Sequence, residues 1–389
     1  MVGILQVNIQ SFVWGAGDPL GYFLTVPSAV DAALHVLIGT FVSTKFISIF
    51  AFLFGLGAAL QFRSIARRVA HSHPGPGVGE NAALTAAQAV YRRRLRFLLA
   101  VGVAHGLLLY HGDILAFYAL CGFVLVRFLP QRPAAILRAT IVCWILAALL
   151  MVAAAVFAEA ARPWLADDPH MVPPEALRAF EIYVEGSYLE QLPQRFADYT
   201  SVLFSLAVVS VPHVLGLFLL GVLAARLGWL TRPQRHVRLW QAATWIGTAA
   251  VPVAAYGAWL NFETMAREPG APSAIGYTLQ FFGSALACLY VAALVRLRAT
   301  PPVAAAIRWL APAGRMPLTN YLLQSLVMGA LLSGWGFGLG DALTRAELAA
   351  LALAIVAAQL AASRAWIARF GQGPLEAWWR RVTYAGTGA

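Results

Sequence analysis

Charged side chains are scarce in this chain: Asp, Glu, Lys and Arg make up only 12% of its 389 residues, about half the share usual in soluble domains. With 60% of the residues hydrophobic, so few charges cannot coat a soluble protein of this length, and a disordered chain is excluded by the same figures. Cysteine is nearly absent. Cys121, Cys143 and Cys288 each stand inside an apolar run, with no C-x-x-C or Cys/His spacing. That excludes a disulfide framework and gives no sign of a metal site. No G-x-G-x-x-G or G-x-x-x-x-G-K-[ST] loop occurs, so nucleotide chemistry of the Rossmann or P-loop kind is not indicated. The first apolar run lacks a basic leader and a small-residue cleavage site, and reads as a retained anchor.

Long apolar runs fill the rest. Ten candidate spans cover roughly 2–14, 46–62, 96–111, 114–128, 138–158, 202–224, 240–260, 275–296, 317–336 and 347–364. The sequence therefore predicts an all-α, polytopic transmembrane bundle, a single membrane domain over 1–389. The third and fourth runs are short for a hydrocarbon core of roughly 30 Å. They tilt, thin the bilayer or form a tight hairpin around Gly112-Asp113. With ten crossings and both ends in the cytoplasm, 22 of the 28 basic residues fall inside and 15 of the 17 acids outside; only Glu80 and Glu376 are inside acids. This is the positive-inside pattern. The arginines are spread over several loops and offer nucleic acid no single docking face.

Residues 63–95, with the Pro/Gly/His stretch His71–Gly79, read as a flexible cytoplasmic linker. Residues 159–200 form an acidic external loop, in which Glu175–Gln191 predicts an amphipathic helix on the outer interface. The tail 369–389, with Trp378, Trp379, Arg380 and Arg381, reads as an anchor at the inner leaflet. Neither an internal repeat nor a pair of Gly/Pro-broken helices is visible, which counts against repeat-built transporters.

Polar side chains at membrane depth mark function by default. Asn8, Lys45, His105, His111, Asp113, His213, Asn320, Gln324 and Ser325 qualify. Asp113 is the only acid between the third and fourth spans, two residues from His111 and eight from His105. A carboxylate beside an imidazole fixes its tautomer and raises its basicity, as proton abstraction requires. Asp113 would equally serve as the N-cap of the fourth span. Asn8 and Asn320 suit either helix–helix hydrogen bonds or donation to an oxyanion. Ser325 has no acid–base pair near it in the sequence and is not assigned as a nucleophile. Arg92 to Arg96 open the third span, either as topology anchors or as a phosphate clamp.

Six segments together resemble one family. They are GILQVNIQSF at 3–12, KFISIFAFLFGLG at 45–57 and RRLRFLLAVGVAHGLLLYHGDILAFYALCG at 93–122. The others are GSYLEQL at 186–192, GRMPLTNYLLQS at 314–325 and FGQGPLEAWWRRVTY at 370–384. The chain is identified as a member of the YeiB-like bacterial membrane proteins, domain of unknown function 418. The resemblance implies a multi-pass protein of the bacterial inner membrane. It extends more distantly to transmembrane acyltransferases, among them the lysosomal heparan-glucosaminide acetyltransferase, which pass an acyl group from cytoplasmic acyl-CoA to an acceptor across the membrane. In that enzyme an Asn in the first span and a His shortly after it are implicated. Asn8 matches the Asn, whereas the segment near Asp18 and Pro19 has no His. His35, His105 and His111 are the available substitutes. Family members usually carry an acidic residue and an Arg-Gly pair before the first apolar core, which implies coding sequence upstream of Met1.

The expected activity is transfer of an acyl group from acyl-CoA, as co-substrate, to a hydroxyl or amine on an envelope glycan or small molecule at the outer face. His105 or His111, oriented by Asp113, is the base, and Asn8 supports the oxyanion. Arg93 and Arg96, with Asn320 and Gln324, bind the donor. No bound metal is required, and the expected partners are membrane lipid and the acceptor. The alternatives are a proton-coupled transporter of a small organic solute and a non-catalytic envelope scaffold or sensor. Cysteines placed at Gly75 and Asp168 test the topology. They should label from opposite sides of intact cells, Asp168 from the periplasm; labelling of both from one side would contradict ten crossings.

Overall fold

Sequence periodicity and capping signals account for most of the helices in the computed structural model, which describes residues 2–17, 28–72, 78–165, 174–268 and 273–384. Asp18, Pro19, Gly75 and Asp168 lie outside the described residues. Among the described residues every regular element is helical. Two short helices, α1 (Val2–Asn8) and α2 (Ser11–Trp14), replace the expected first span. Then come α3 (Ala29–Phe41), α4 (Lys45–Ser72), α5 (Val78–Leu108), α6 (Leu115–Leu125) and α7 (Pro133–Leu165). The middle of the chain forms α8 (Pro174–Glu185), α9 (Tyr188–Val209), α10 (Val211–Leu227) and α11 (Val237–Arg267). The last third forms α12 (Ala274–Gly283), α13 (Leu286–Leu297), α14 (Pro301–Gly314), α15 (Pro317–Leu332), α16 (Arg345–Phe370) and α17 (Pro374–Tyr384).

Four stretches are long and apolar enough to cross a membrane: 29–68, 133–161, 274–297 and 345–370. The α9–α10 pair, bent by 67°, makes a fifth if it counts as one span. α7 is the clearest lipid-facing helix, since Leu149, Val156 and Phe157 are exposed along it. The chain is a helical membrane protein, as expected. The number of crossings is a separate matter, which side-specific labelling answers.

Several expectations are corrected. The second span does not open at Lys45. Ser28 and Asp31 form a reciprocal capping box that starts α3 in what read as an external loop. α3 leads through a break at 42–44 into α4, and together they make one 40-residue stretch. At the break Thr44 has φ 67°, and the fully buried Lys45 Nζ donates to the Gly39 carbonyl at 2.9 Å. The linker 63–95 is mostly helix, because its Ala- and Arg-rich sequence favours helix and Phe62, Ile65, Ala87, Val90 and Tyr91 bury together. Of the His71–Gly79 stretch, 73–77 lie outside the described residues. α14 fills what read as a loop, started by Pro301-Pro302. The amphipathic helix exists as α8, burying Ala176, Ala179, Tyr183 and Val184. It ends before Gly186, where the Ser187–Glu190 capping box begins α9. Broken spans do occur, at 42–44 and at Ser210.

One core joins α4, α5, α6 and α10, and a second joins α1, α2, α15 and α16 with Tyr110 and Val184. The seam between them holds the end of α5, the 109–114 turn and α15. At one end of the bundle arginines tie elements together. Arg226 donates to the Leu129 carbonyl, Arg298 to Leu230 and Arg315 to Gly371. At the other end Arg195 and Tyr188 bond the Leu108 carbonyl, and Glu159 accepts from the Ala274 N–H. These contacts tie the loops to one another at each end, and side-specific labelling decides which side of the membrane each end faces.

α4 and α10 cross with backbones in contact. A Cβ on Gly55 would strike the Phe218 carbonyl, and one on Gly221 the Phe52 carbonyl. Small residues permit such crossings where both helices lie in lipid. Gly221→Val should therefore cost roughly 1–3 kcal/mol, the scale of overpacking. Gly57→Ala, where a Cβ meets nothing within 4 Å, should be neutral. Thermal unfolding of detergent-purified protein checks both.

Candidate active site

α5 ends at Leu108 and α6 begins at Leu115, so the expected hairpin forms around Gly112-Asp113. Asp113 Oδ2 accepts the Ala116 backbone N–H at 2.9 Å, which makes Asp113 a cap of α6. Its other oxygen, Oδ1, lies 2.8 Å from His105 Nδ1. The carboxylate thus does both things the sequence allowed, and its imidazole is His105, eight residues back, rather than neighbouring His111. Gly102 leaves room for this: a Cβ there would meet Asp113 Oδ2 at 2.8 Å and press on the Ala116 backbone.

His105 Nε2 lies 2.8 Å from Ser325 Oγ, on α15. Asp113, His105 and Ser325 are 1%, 2% and 5% exposed. A carboxylate that accepts Nδ1–H holds the tautomer whose Nε2 accepts the serine proton. The order Ser–His–Asp, with both links at hydrogen-bond length, is the arrangement of an activated nucleophile. This corrects the sequence reading, which set Ser325 aside because no acid–base pair stands near it in the chain; the fold supplies one from 220 residues away. Tyr321, one turn before Ser325, lies tilted against the His105 ring with centroids 4.9 Å apart. Its buried hydroxyl faces Asp113 without closing a full hydrogen bond.

An apolar cavity of about 130 Å³ lies near this group, walled by Ile4, Phe54, Leu98, Tyr118, Tyr321 and Gln324; Ile114 and Gln324, the chain neighbours of Asp113 and Ser325, reach it, whereas Asp113, His105 and Ser325 are not among its walls. Its mouth is Arg94, Pro317 and Trp379, which also wall a wider space of about 520 Å³ carrying Arg315 and Arg380. The Arg94 guanidinium lies 3.7 Å over the Trp379 ring. Arg94, not Arg93 or Arg96, faces this path. Arg93 donates to the Thr383 carbonyl at 3.5 Å, and Arg96 is exposed.

The remaining expected residues fall elsewhere. His111 is buried against Tyr110 and Tyr183 in a separate cluster. There Asp198 accepts from the Tyr183 hydroxyl at 2.9 Å and from Gln194 at 3.0 Å. Asn320 Nδ2 donates to Ser363 Oγ at 3.0 Å, and Gln324 Nε2 to Gln359 Oε1 at 2.7 Å. Both amides therefore join α15 to α16, although Gln324 also touches the cavity. Asn8 ends α1 half-buried, one turn beyond Ile4 of the cavity wall. Trp379 is half-buried, stacked on Phe97 and donating to the Arg94 carbonyl. The tail is thus a docked helix as well as a surface one. Among the described residues no three metal-ligating side chains gather.

Residues 224–386 match the family described as "Protein of unknown function (DUF418)". The chain is 29% identical to "Uncharacterized protein YxaH" of Bacillus subtilis (strain 168), over 98% of this chain and 91% of that one. It is 27% identical to "Uncharacterized protein YeiB" of Escherichia coli (strain K12), over 100% and 94% of the two chains. A 39.9 kDa protein of Bacillus acidopullulyticus is 26% identical over 99% and 90%. No solved structure matches significantly. The similarity is thus to the DUF418 family over 224–386 and to YxaH and YeiB along nearly the whole chain.

Proposed function

We propose that this protein is an acyltransferase of the bacterial inner membrane that takes its acyl group from a thioester of the acyl-CoA class. The observation that carries the reading is the Ser325–His105–Asp113 chain near an apolar cavity with a cationic mouth. An acyl-CoA has the matching shape, with phosphates for Arg94, Arg315 and Arg380 and an apolar arm for the cavity.

In the proposed reaction His105 Nε2 takes the Ser325 proton while Oγ bonds to the thioester carbonyl carbon. The tetrahedral oxyanion lies within reach of the Tyr321 hydroxyl. Collapse breaks the C–S bond, and the thiol leaves with the proton from His105. An acceptor hydroxyl or amine then gives its proton to His105 and attacks the Ser325 ester, and the proton returns to Oγ. The net change exchanges a thioester for an ester or amide. Asp113 stays ionised and holds the imidazole. The acceptor, an envelope glycan or a small molecule, enters from the acidic end.

The transporter reading keeps one observation in its favour. Lys45 is buried at a helix break, and broken helices are how transporters place ion and substrate sites. Uptake of solute into proteoliposomes, unaffected by Ser325→Ala, would favour it.

The test is acyl-CoA binding and turnover by detergent-purified protein, with thiol release as the signal. Asp113→Asn keeps a capping oxygen for Ala116 yet loses the charge that orients His105. It should keep normal thermal stability and lose turnover by a factor of about 10² or more. His111→Ala should stay within about tenfold of wild type, because His111 lies outside the relay. Arg94→Gln should weaken donor binding, by about 1.5–3 kcal/mol if the phosphate bond is direct. A fully active Asp113→Asn protein would leave the carboxylate as a helix cap alone.

A further inference from the structure

The last helix lies across the mouth of the apolar cavity while burying little of itself. α17 follows α16 through a short joint, in which Gly371 has φ 76° and Gly373 is buried. Within α17 only Thr383 is fully buried. Trp378, Arg380 and Arg381 are exposed, and Leu375, Trp379 and Val382 rest against the core around Leu98 and Leu318. Much of the hold is polar. On one side Glu376 accepts from Leu318 and Thr319, and the Leu375 N–H donates to the Thr319 hydroxyl at 3.2 Å. On the other, Trp379 Nε1 donates to the Arg94 carbonyl at 3.3 Å and Arg93 to the Thr383 carbonyl at 3.5 Å. Water can replace such bonds at small net cost, so a helix seated this way opens more readily than the core does.

Trp379 is the piece that closes the mouth. With Arg94 it walls the inner cavity and also two outer spaces of about 230 and 520 Å³, both of which carry Arg380. The Arg94 guanidinium lies over the indole ring, and its buried Nε has no hydrogen-bond partner. A ring face is a weaker partner for a guanidinium than an anion that accepts two of its N–H bonds. Arg94 can therefore exchange Trp379 for an incoming anionic group. Gly373 fits the closed position because a Cβ there would strike the Glu376 carboxylate and crowd Met316.

We propose that α17 is a lid. Turning at 371–373, it lifts Trp379 off Arg94 to admit a ligand from the arginine-rich end, then reseats Glu376 on α15, the helix that carries Ser325. The identity of what enters, an anionic group leading an apolar arm, rests on the acyl-transfer reading; the lid itself is tested without it.

The experiment measures how fast N-ethylmaleimide labels Leu98→Cys, in the wall of the inner cavity, using the full chain in detergent with Cys143→Ala and Cys288→Ala. Native Cys121, buried in the first core and not a wall of that cavity, is the control. Peptide mapping reads the two cysteines separately. Gly373→Ala disturbs the joint and Glu376→Ala removes the bonds to α15, and neither side chain walls the inner cavity. Each should raise labelling of Leu98→Cys at least about tenfold, because labelling follows the population of the open form, and leave Cys121 slow. Equal rates at Leu98→Cys with and without these changes, or a parallel rise at Cys121, would overturn the lid. This gating without thiol release from acetyl-CoA would uphold the lid and contradict the acyl-transfer reading.

Discussion

A carboxylate buried among membrane helices needs a partner on each oxygen, since neither water nor lipid supplies one. Asp113 meets that demand with the Ala116 N–H on one oxygen and His105 on the other. The first bond sets the turn between α5 and α6. The second fixes the imidazole, whose remaining nitrogen points to α15. Gly102 permits the close approach by having no side chain to place there. The seam between the two cores is thus pinned by one acid, and Ser325 is presented where those cores meet.

The helix that carries Ser325 is held from its other end by the tail. Glu376 of α17 accepts the Leu318 and Thr319 backbone N–H groups at 2.7 and 3.0 Å and the Thr319 hydroxyl at 2.6 Å. That is a cap from outside the helix, and it supplies the acid that a helix N-terminus favours. It also explains why Glu376 stands among arginines at the basic end. The same tail brings Trp379 under Arg94, so the cavity mouth and the α15 cap come from one short helix.

Much of the architecture was legible in the sequence. Apolar runs marked the helical bundle. Gly112-Asp113 marked the hairpin, and the Asp113–imidazole pairing was readable because the partners are near in sequence. The partner's identity was not, because hydrogen-bond reach depends on how the last turn of α5 ends rather than on spacing. Ser325 was invisible as the partner of His105: the two lie 220 residues apart, and only packing of α15 on α5 joins them. Arg94 was hidden in a run of four arginines, Arg92, Arg93, Arg94 and Arg96, whose helical phase decides which one faces inward. α3 was missed although Ser28-x-x-Asp31 carried its capping signal, because the stretch fell between two apolar spans and was assigned to the loop joining them. The tail read as a lipid anchor because its contacts to Arg94 and Thr319 are distant in the chain.

The central claim is that Ser325 carries the acyl group, with His105 and Asp113 moving its proton. Rapid acid quenching of purified protein mixed with acetyl-CoA, followed by intact-mass measurement and peptide mapping, tests it directly. The account predicts an acetyl adduct on Ser325 in the wild type, lost in Ser325→Ala and in His105→Ala. Thiol release at the normal rate by Ser325→Ala, or no acetyl adduct on Ser325 in the wild type, would contradict it.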